Sequence, residues 1–281
     1  MTAAPRPRPG RDRYAAAMTL YQQGSLSPAA LEIYRICSLL DRDDPAPLLA
    51  EAHQPADIPA RIAAELAIRD LLTEIDRSLA TLSGPGVAEV RTGLNHWRYG
   101  PATPRPAPHP VVTQHLPAAL QTVTTPLGSA IAAAAPYLGW LTYDAYDPAR
   151  IGTDFTRNHA YASLIGPDAT IAAEDFDLGL FLIAPHILYR DHHHAAPELY
   201  LPLTGPHGWR FGPDKPLTLL PAHIPIWNPP HQPHLTKVGP IPYLCIFAWT
   251  GAIAAAAAVV PATDWPALEG LRLTATGAVD D

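Results

Sequence analysis

The feature that most limits the fold of this chain is a change of pattern at Trp140. From there the sequence breaks into short β-like runs separated by turn signals: YASLIG, LGLFLIAP, ELYLPLTG, GWRF, LTLL, IPIW and PYLCIFAW. Seven such runs, punctuated by Gly, Pro, Asn and Asp, predict an antiparallel sandwich or barrel. No phosphate-binding glycine loop is present, and no internal repeat.

Upstream the pattern is helical. SPAALEIYRICSLLDR offers Ser27 as N-cap and Pro28 at the first helical position, and Leu31, Tyr34, Ile36/Cys37 and Leu40 recur at helical spacing. A longer helix is expected from about Ile58 to Leu82, with Asp57 as cap and SGPG as its stop, then a shorter one over Val87–Trp97. GPATPRPAPHP reads as an extended, semi-rigid connector, and further helices are expected over Thr113–Val123 and Leu127–Ala135. The division that follows is a tail over 1–10, a helical region over 11–136, a β-barrel over 137–253 and an extension over 254–281. The expected class is α+β, mainly β.

Charge and composition exclude some functions. A net charge of −7 and a pI near 6.0 argue against a nucleic-acid or anionic-membrane surface. The N-terminal segment has positive charge but no apolar run behind it, and the longest apolar stretch, GAIAAAAAVV, is too short to span a bilayer. Two cysteines far apart, Cys37 and Cys245, read as reduced thiols of a cytoplasmic protein.

The chemistry concentrates in YRDHHHAAPELYLPLTG, residues 189–205. On extended chain, alternate residues share a face. His192, His194, Glu198 and Tyr200 have one parity; Leu199, Leu201 and Leu203 have the other. One face is therefore ligand-rich and its reverse apolar, which requires a cover of helices or a second copy of the chain, as in a homodimer. Two imidazoles and a carboxylate can hold a divalent transition metal with open positions. A fourth ligand is expected from NPPHQPHLT, where His231 and His234 are the candidates. His193 has the wrong parity for a ligand. His159, His186, His207 and His223 carry no spacing signal and read as ordinary polar or core residues.

At these residues the sequence resembles the cupin superfamily. His192, His194, Glu198 and Gly205 keep the spacing of its first motif. The second is partly kept in Pro229-x-His231-x-x-His234, with His231 at the family's glycine. The resemblance implies a jelly-roll β-barrel and makes His234 the fourth ligand. A narrower pattern, Tyr189, His192, His194, Glu198, Tyr200, Pro233-His234, Thr236 and Ala248-Trp249-Thr250-Gly251, resembles the dimethylsulfoniopropionate (DMSP) lyase cupins. That resemblance covers about residues 137–253. It implies β-elimination of DMSP to dimethyl sulfide and acrylate, one divalent ion (Fe, Mn, Zn, Co or Ni) on His192, His194, Glu198 and His234, Tyr200 as general base, and Tyr189 and Trp249 against the substrate.

The chemistry is coherent with those residue types. A proton beside a carboxylate is weakly acidic, so a metal on that carboxylate and a nearby base are both needed. A sulfonium is a soft cation that aromatic faces attract. Tyr143, Tyr146, Tyr189, Trp227, Tyr243 and Trp249 are the aromatic candidates for this small sulfonium carboxylate. Two other readings use the same ligand set: a cupin oxygenase or isomerase acting on another small acid, and a non-catalytic ligand-binding cupin.

Overall fold

The computed structural model describes residues 9–40, 44–123 and 126–274. The expected tail over 1–10 falls mostly outside them, as does the end of the 254–281 extension. Ten α-helices are described: α1 (Pro9–Gln22), α2 (Pro28–Leu39), α3 (Ala46–Glu51), α4 (Ile58–Ala80), α5 (Val87–Trp97), α6 (Pro110–Leu120), α7 (Leu127–Ala134), α8 (Pro148–Ile151), α9 (Thr153–Arg157) and α10 (Trp265–Gly270). The chain divides into two compact units, Met1–Asp70 and Leu71–Asp281. In the first, Ala16, Ala17 and Leu20 of α1 pack with Ile33, Tyr34 and Cys37 of α2. Ser27 caps α2 as its sequence predicts, accepting the Ala30 N–H at 3.1 Å.

The second unit carries two sheets. The strands are β1 (His159–Gly166), β2 (Ile171–Ala172), β3 (Phe176–Ile183), β4 (Leu188–His193), β5 (Glu198–Pro202), β6 (His207–Arg210), β7 (Thr218–Leu220), β8 (Ile226–Asn228), β9 (His234–Lys237), β10 (Tyr243–Thr250) and β11 (Ala258–Val259). A six-stranded sheet has the order β2-β1-β3-β10-β5-β8, and a five-stranded one β11-β4-β9-β6-β7. All pairings are antiparallel except β1 with β2. The architecture is α+β, with a cupin-type antiparallel β-domain.

All seven runs read from the sequence contain strand. Four further strands, β2, β4, β9 and β11, were not among those runs, although β4 and β9 carry His192 and His234. The alternation of β4 and β9 is broken by Arg190, Asp191 and Lys237. Asp191 is buried because Arg210, on β6, donates to both its oxygens and Trp265 donates to Oδ2 at 2.8 Å. Lys237 is buried with its Nζ donating to the carbonyls of His186 and Glu269. Buried charge survives inside a sheet only with such partners.

The apolar parity of β5 finds its cover within the chain. Leu199, Leu201 and Leu203 are buried. Leu199 pairs with Trp227, and a Cβ at Gly86 would fall 2.0 Å from the Trp227 ring. Gly93 of α5 meets Phe176 of β3 in the same way. The two glycines let the α5 segment lie directly on the outer face of the six-stranded sheet. The described part of the extension also joins the fold: β11 pairs with β4, matching Val259 with His192. Helices α8, α9 and α10 were not expected from the sequence. Both cysteines are buried, and neither is in a disulfide. Among the described residues no helix is long and apolar enough to cross a membrane.

His159 and His207 are buried as neutral rings. His159 donates from Nδ1 to the Phe155 carbonyl (2.6 Å) and accepts the Tyr143 N–H at Nε2 (3.0 Å). His207 accepts the Gly239 N–H at Nδ1 and shares a hydrogen bond with Thr204 at Nε2. Burial depresses their pKa values to about 4 and about 3. A lowered histidine pKa favours the neutral folded form, so the associated stability is intact above the unfolded value of about 6.5 and is lost as pH falls toward the folded one. The unfolding free energy should therefore drop by up to about 1.4 kcal/mol per pH unit for each ring between pH ~6.5 and ~4. Denaturant titrations across that range, comparing wild type with His207→Gln, check this; equal slopes in the two proteins would contradict it.

Candidate metal centre and cavity

Glu198 stands where three strands of one sheet meet in register. It is paired across β5–β10 with Trp249 and across β5–β8 with Asn228. Directly opposed residues on neighbouring strands share a face. Trp249 Nε1 donates to Glu198 Oε1 at 2.6 Å, and Asn228 Nδ2 donates to Oε2 at 3.0 Å. The other sheet supplies imidazoles. His192, at the end of β4, pairs with His234, at the start of β9. His194 follows in the β4–β5 turn.

The three rings are oriented alike. Nδ1 of His192 donates to the Arg190 carbonyl (2.8 Å), Nδ1 of His194 to Ala196 (2.7 Å) and Nδ1 of His234 to Gln232 (2.9 Å). A carbonyl can only accept, so each Nδ1 carries a hydrogen, and in the neutral ring Nε2 presents a lone pair. Two of these lone pairs face Glu198: His194 Nε2 lies 3.1 Å and His234 Nε2 3.3 Å from Oε2. Nε2 of His192 and of His234 is buried without a hydrogen-bond partner. Acceptor facing acceptor in a buried site is repulsive unless a cation lies among them. A transition ion held at about 2.0–2.2 Å from each donor sets donor separations of roughly 3.0–3.5 Å. Backbone carbonyls that fix Nδ1–H are also the usual outer partners of metal-binding histidines. The residues present fit a divalent transition metal.

His194, Glu198 and His234 form the tight group, with ligand atoms within 4.8 Å of one another. His192 stands beside it, its ring 4.1 Å from that of His234. Burial alone would raise the Glu198 pKa, but His194 and His234 hold it well below the usual carboxylate range. Burial and the neighbouring His234 push His192 well down. His193 turns away, 5.6 Å from the ring of His231. His231 serves through its backbone: it adopts φ 62° and donates its N–H to the His194 carbonyl at 2.8 Å. That left-handed conformation is natural for glycine, which accounts for a glycine at this place in the cupin motif.

A cavity of about 400 Å³ opens on this centre. Tyr143, Tyr146, Tyr189, Tyr200 and Trp249 line it, with Glu198. Tyr189 stacks on His192 at 3.9 Å and on Phe155 at 4.0 Å, and shares a 2.8 Å hydrogen bond with Tyr146. Trp249 lies 4.5 Å from His194. Burial, and the Glu198 charge, push the Tyr200 phenol well above its ordinary value of 10.0.

Trp227 is not part of this wall; its ring is on the helix-covered face, against Gly86. Tyr243 sits behind Tyr200, ring to ring at 6.4 Å. Sequence reading missed Asn228, Phe155, Tyr161, Asp177 and the alanine segment 254–257. Only strand register reveals Asn228 and Asp177, and no local pattern encodes it.

The fold and site define an α+β protein of the cupin type with a histidine–carboxylate centre inside its β-domain. Comparison with known proteins narrows the class: the family model for dimethylsulfoniopropionate lyase matches residues 101–245, just over half of the chain, and the chain belongs to that family. A putative dimethylsulfoniopropionate lyase DddL of Cereibacter sphaeroides is 31% identical over 115 residues, covering 40% of this chain and 47% of the relative. The match thus spans about half the length of that relative. The crystal structure of the DMSP lyase DddQ from Ruegeria pomeroyi DSS-3 covers 69% of this chain and 96% of its own, at a TM-score of 0.52 and 24% identity. One of the structures described for the DMSP lyases RdDddP and RnDddQII covers 70% of this chain and 100% of its own, with a TM-score of 0.55 and 20% identity. At these identities the two structures speak to the fold.

The geometry predicts how metal retention responds to substitution. Glu198→Gln and His234→Ala should lose bound metal on dialysis, and His193→Ala should keep it. Trp249→Phe removes one hydrogen bond to the Glu198 carboxylate and should weaken affinity by about 10–100-fold. Metal analysis of dialysed protein reads all four. Loss in His193→Ala with retention in His234→Ala would contradict the assignment.

Proposed function

We propose that this chain cleaves DMSP to dimethyl sulfide and acrylate by β-elimination, with Tyr200 as general base. The observation that carries the reading is that Tyr200 and Glu198, two residues apart on β5, line one aromatic cavity, with the His194 and His234 imidazoles facing Glu198, in a chain of the DMSP lyase family.

His192, His194, Glu198 and His234 would hold one divalent transition ion. When bound, the ion supplies positive charge beside both the substrate carboxylate and the Tyr200 phenol. The Tyr200 oxygen, as phenolate, takes the proton from the carbon next to the carboxylate. The electron pair of that C–H bond becomes the carbon–carbon double bond. The carbon–sulfur bond breaks, and its pair leaves with sulfur as neutral dimethyl sulfide. Trp249 and Tyr189 present aromatic faces, each worth roughly 0.5–2 kcal/mol to the sulfonium. The Tyr189–Tyr146 hydrogen bond and the Tyr189–His192 stack fix that wall. Trp249 also orients Glu198, so its role is double.

Metal-loaded protein given DMSP should release dimethyl sulfide into the headspace. Tyr200→Phe should reduce kcat by about 100-fold or more, with metal content unchanged. A wild type that releases none ends the lyase reading for this substrate. A Phe variant of full activity ends the role given to Tyr200.

A further inference from the structure

Besides Glu198 the cavity is lined by two carboxylates that the elimination does not use, Asp168 and Asp177. Asp177, on β3, lies across from Trp249 of β10, which in turn lies across from Glu198 of β5. The three form one cross-strand row on the same face, and all three line the cavity. Two strand spacings put the backbone positions of Asp177 and Glu198 about 9–10 Å apart, with the Trp249 position between them. Phe176, of opposite parity, points to the helical side.

Asp177 is expensive where it stands. Its Oδ1 is buried and has no hydrogen-bond partner. Gly166 packs so closely that a Cβ there would come within 3.0 Å of this oxygen. Ser163 provides a side-chain hydrogen bond, and burial raises the carboxyl pKa to about 6. Among the described residues no cation pairs with it. Among the described residues lining the cavity, Arg105 is the only basic one, at an exposed position, against the acidic Asp168, Asp177 and Glu198. Asp177 is half-buried, and a carboxylate whose enclosed oxygen lacks a partner is destabilised; a cation arriving from outside removes that cost.

We propose that Asp177 is the counter-ion for the cationic head of a zwitterionic substrate, and so a determinant of specificity for onium carboxylates over plain acids. The inference rests on the reading of this cavity as a substrate site. With the carboxylate end toward the Glu198–histidine centre, a cation a few bonds away extends over Trp249 toward Asp177. A neutral or anionic group there would leave the Asp177 carboxylate desolvated and unpaired, so the row rejects such acids as well as attracting the onium.

The test uses the metal-loaded full chain and two probes of the same shape. One is trimethylammoniopropionate; the other is its neutral carbon isostere, with tert-butyl in place of trimethylammonium. By calorimetry the wild type should bind the cation at least about tenfold more tightly than the isostere. Asp177→Asn should bring the two within about threefold, by weaker binding of the cation and tighter binding of the isostere, with metal content unchanged. A wild type without preference, or an Asn variant that keeps it, overturns the proposal. A crystal structure of the wild-type complex decides the matter with no substitution: the ammonium should lie against the Asp177 carboxylate, and an ammonium placed at the mouth overturns it. Discrimination through Asp177 without dimethyl sulfide release would sustain this inference and end the lyase reading; release with no role for Asp177 would do the reverse.

Discussion

The site depends on one buried carboxylate facing imidazole lone pairs. Glu198 is almost wholly enclosed, fixed by Trp249 and Asn228 from its own sheet and confronted by His194 and His234. Without positive charge among these groups the arrangement is repulsive and its desolvation unrepaid. With a divalent ion the same contacts become a ligand set whose orientation is already determined, because each Nδ1 is held by a carbonyl. The fold supports this point from two directions. The register of β10, β5 and β8 aims Glu198, and the pairing of β4 with β9 brings His192 and His234 together.

The charge cluster around Asp191 secures the second of these. Asp191 immediately precedes His192, and it is held by Arg210 from β6 and Trp265 from α10. Arg190, one residue earlier, binds Glu269 at 2.6 Å and stacks over Trp265 at 4.8 Å. Between α10 and β10 the chain passes along the cavity as Ile253–Ala257 and returns through β11 beside β4. The C-terminal segment therefore both lines the cavity and braces the strand that carries His192. Removing one member of a buried ionic group leaves its partner uncompensated, at a cost of about 3–5 kcal/mol.

Much of this was legible in the sequence, for physical reasons. Strand parity separated His192 from His193, and Glu198 and Tyr200 from the leucines, because a strand with a buried face enforces a period of two; His194 lies in the turn between β4 and β5. The helices of the first half announced themselves through caps and stops such as Ser27 and SGPG. What stayed hidden followed from long-range pairing. β4 and β9 contain buried charges whose partners lie far away in sequence. Trp227 looked like a pocket aromatic, but its strand face is the one under α5. Asn228 and Asp177 gain their meaning only from the strands beside them. His231 seemed a departure from the motif, yet its backbone does what a glycine would do there.

X-ray absorption on metal-loaded protein tests the central claim most directly, since it reads the atoms around the ion. The account predicts a first shell of imidazole nitrogens with carboxylate oxygen and no sulfur, and an imidazole scattering pattern that weakens in His194→Ala and His234→Ala. A shell without imidazole, or one unchanged by those substitutions, would contradict it.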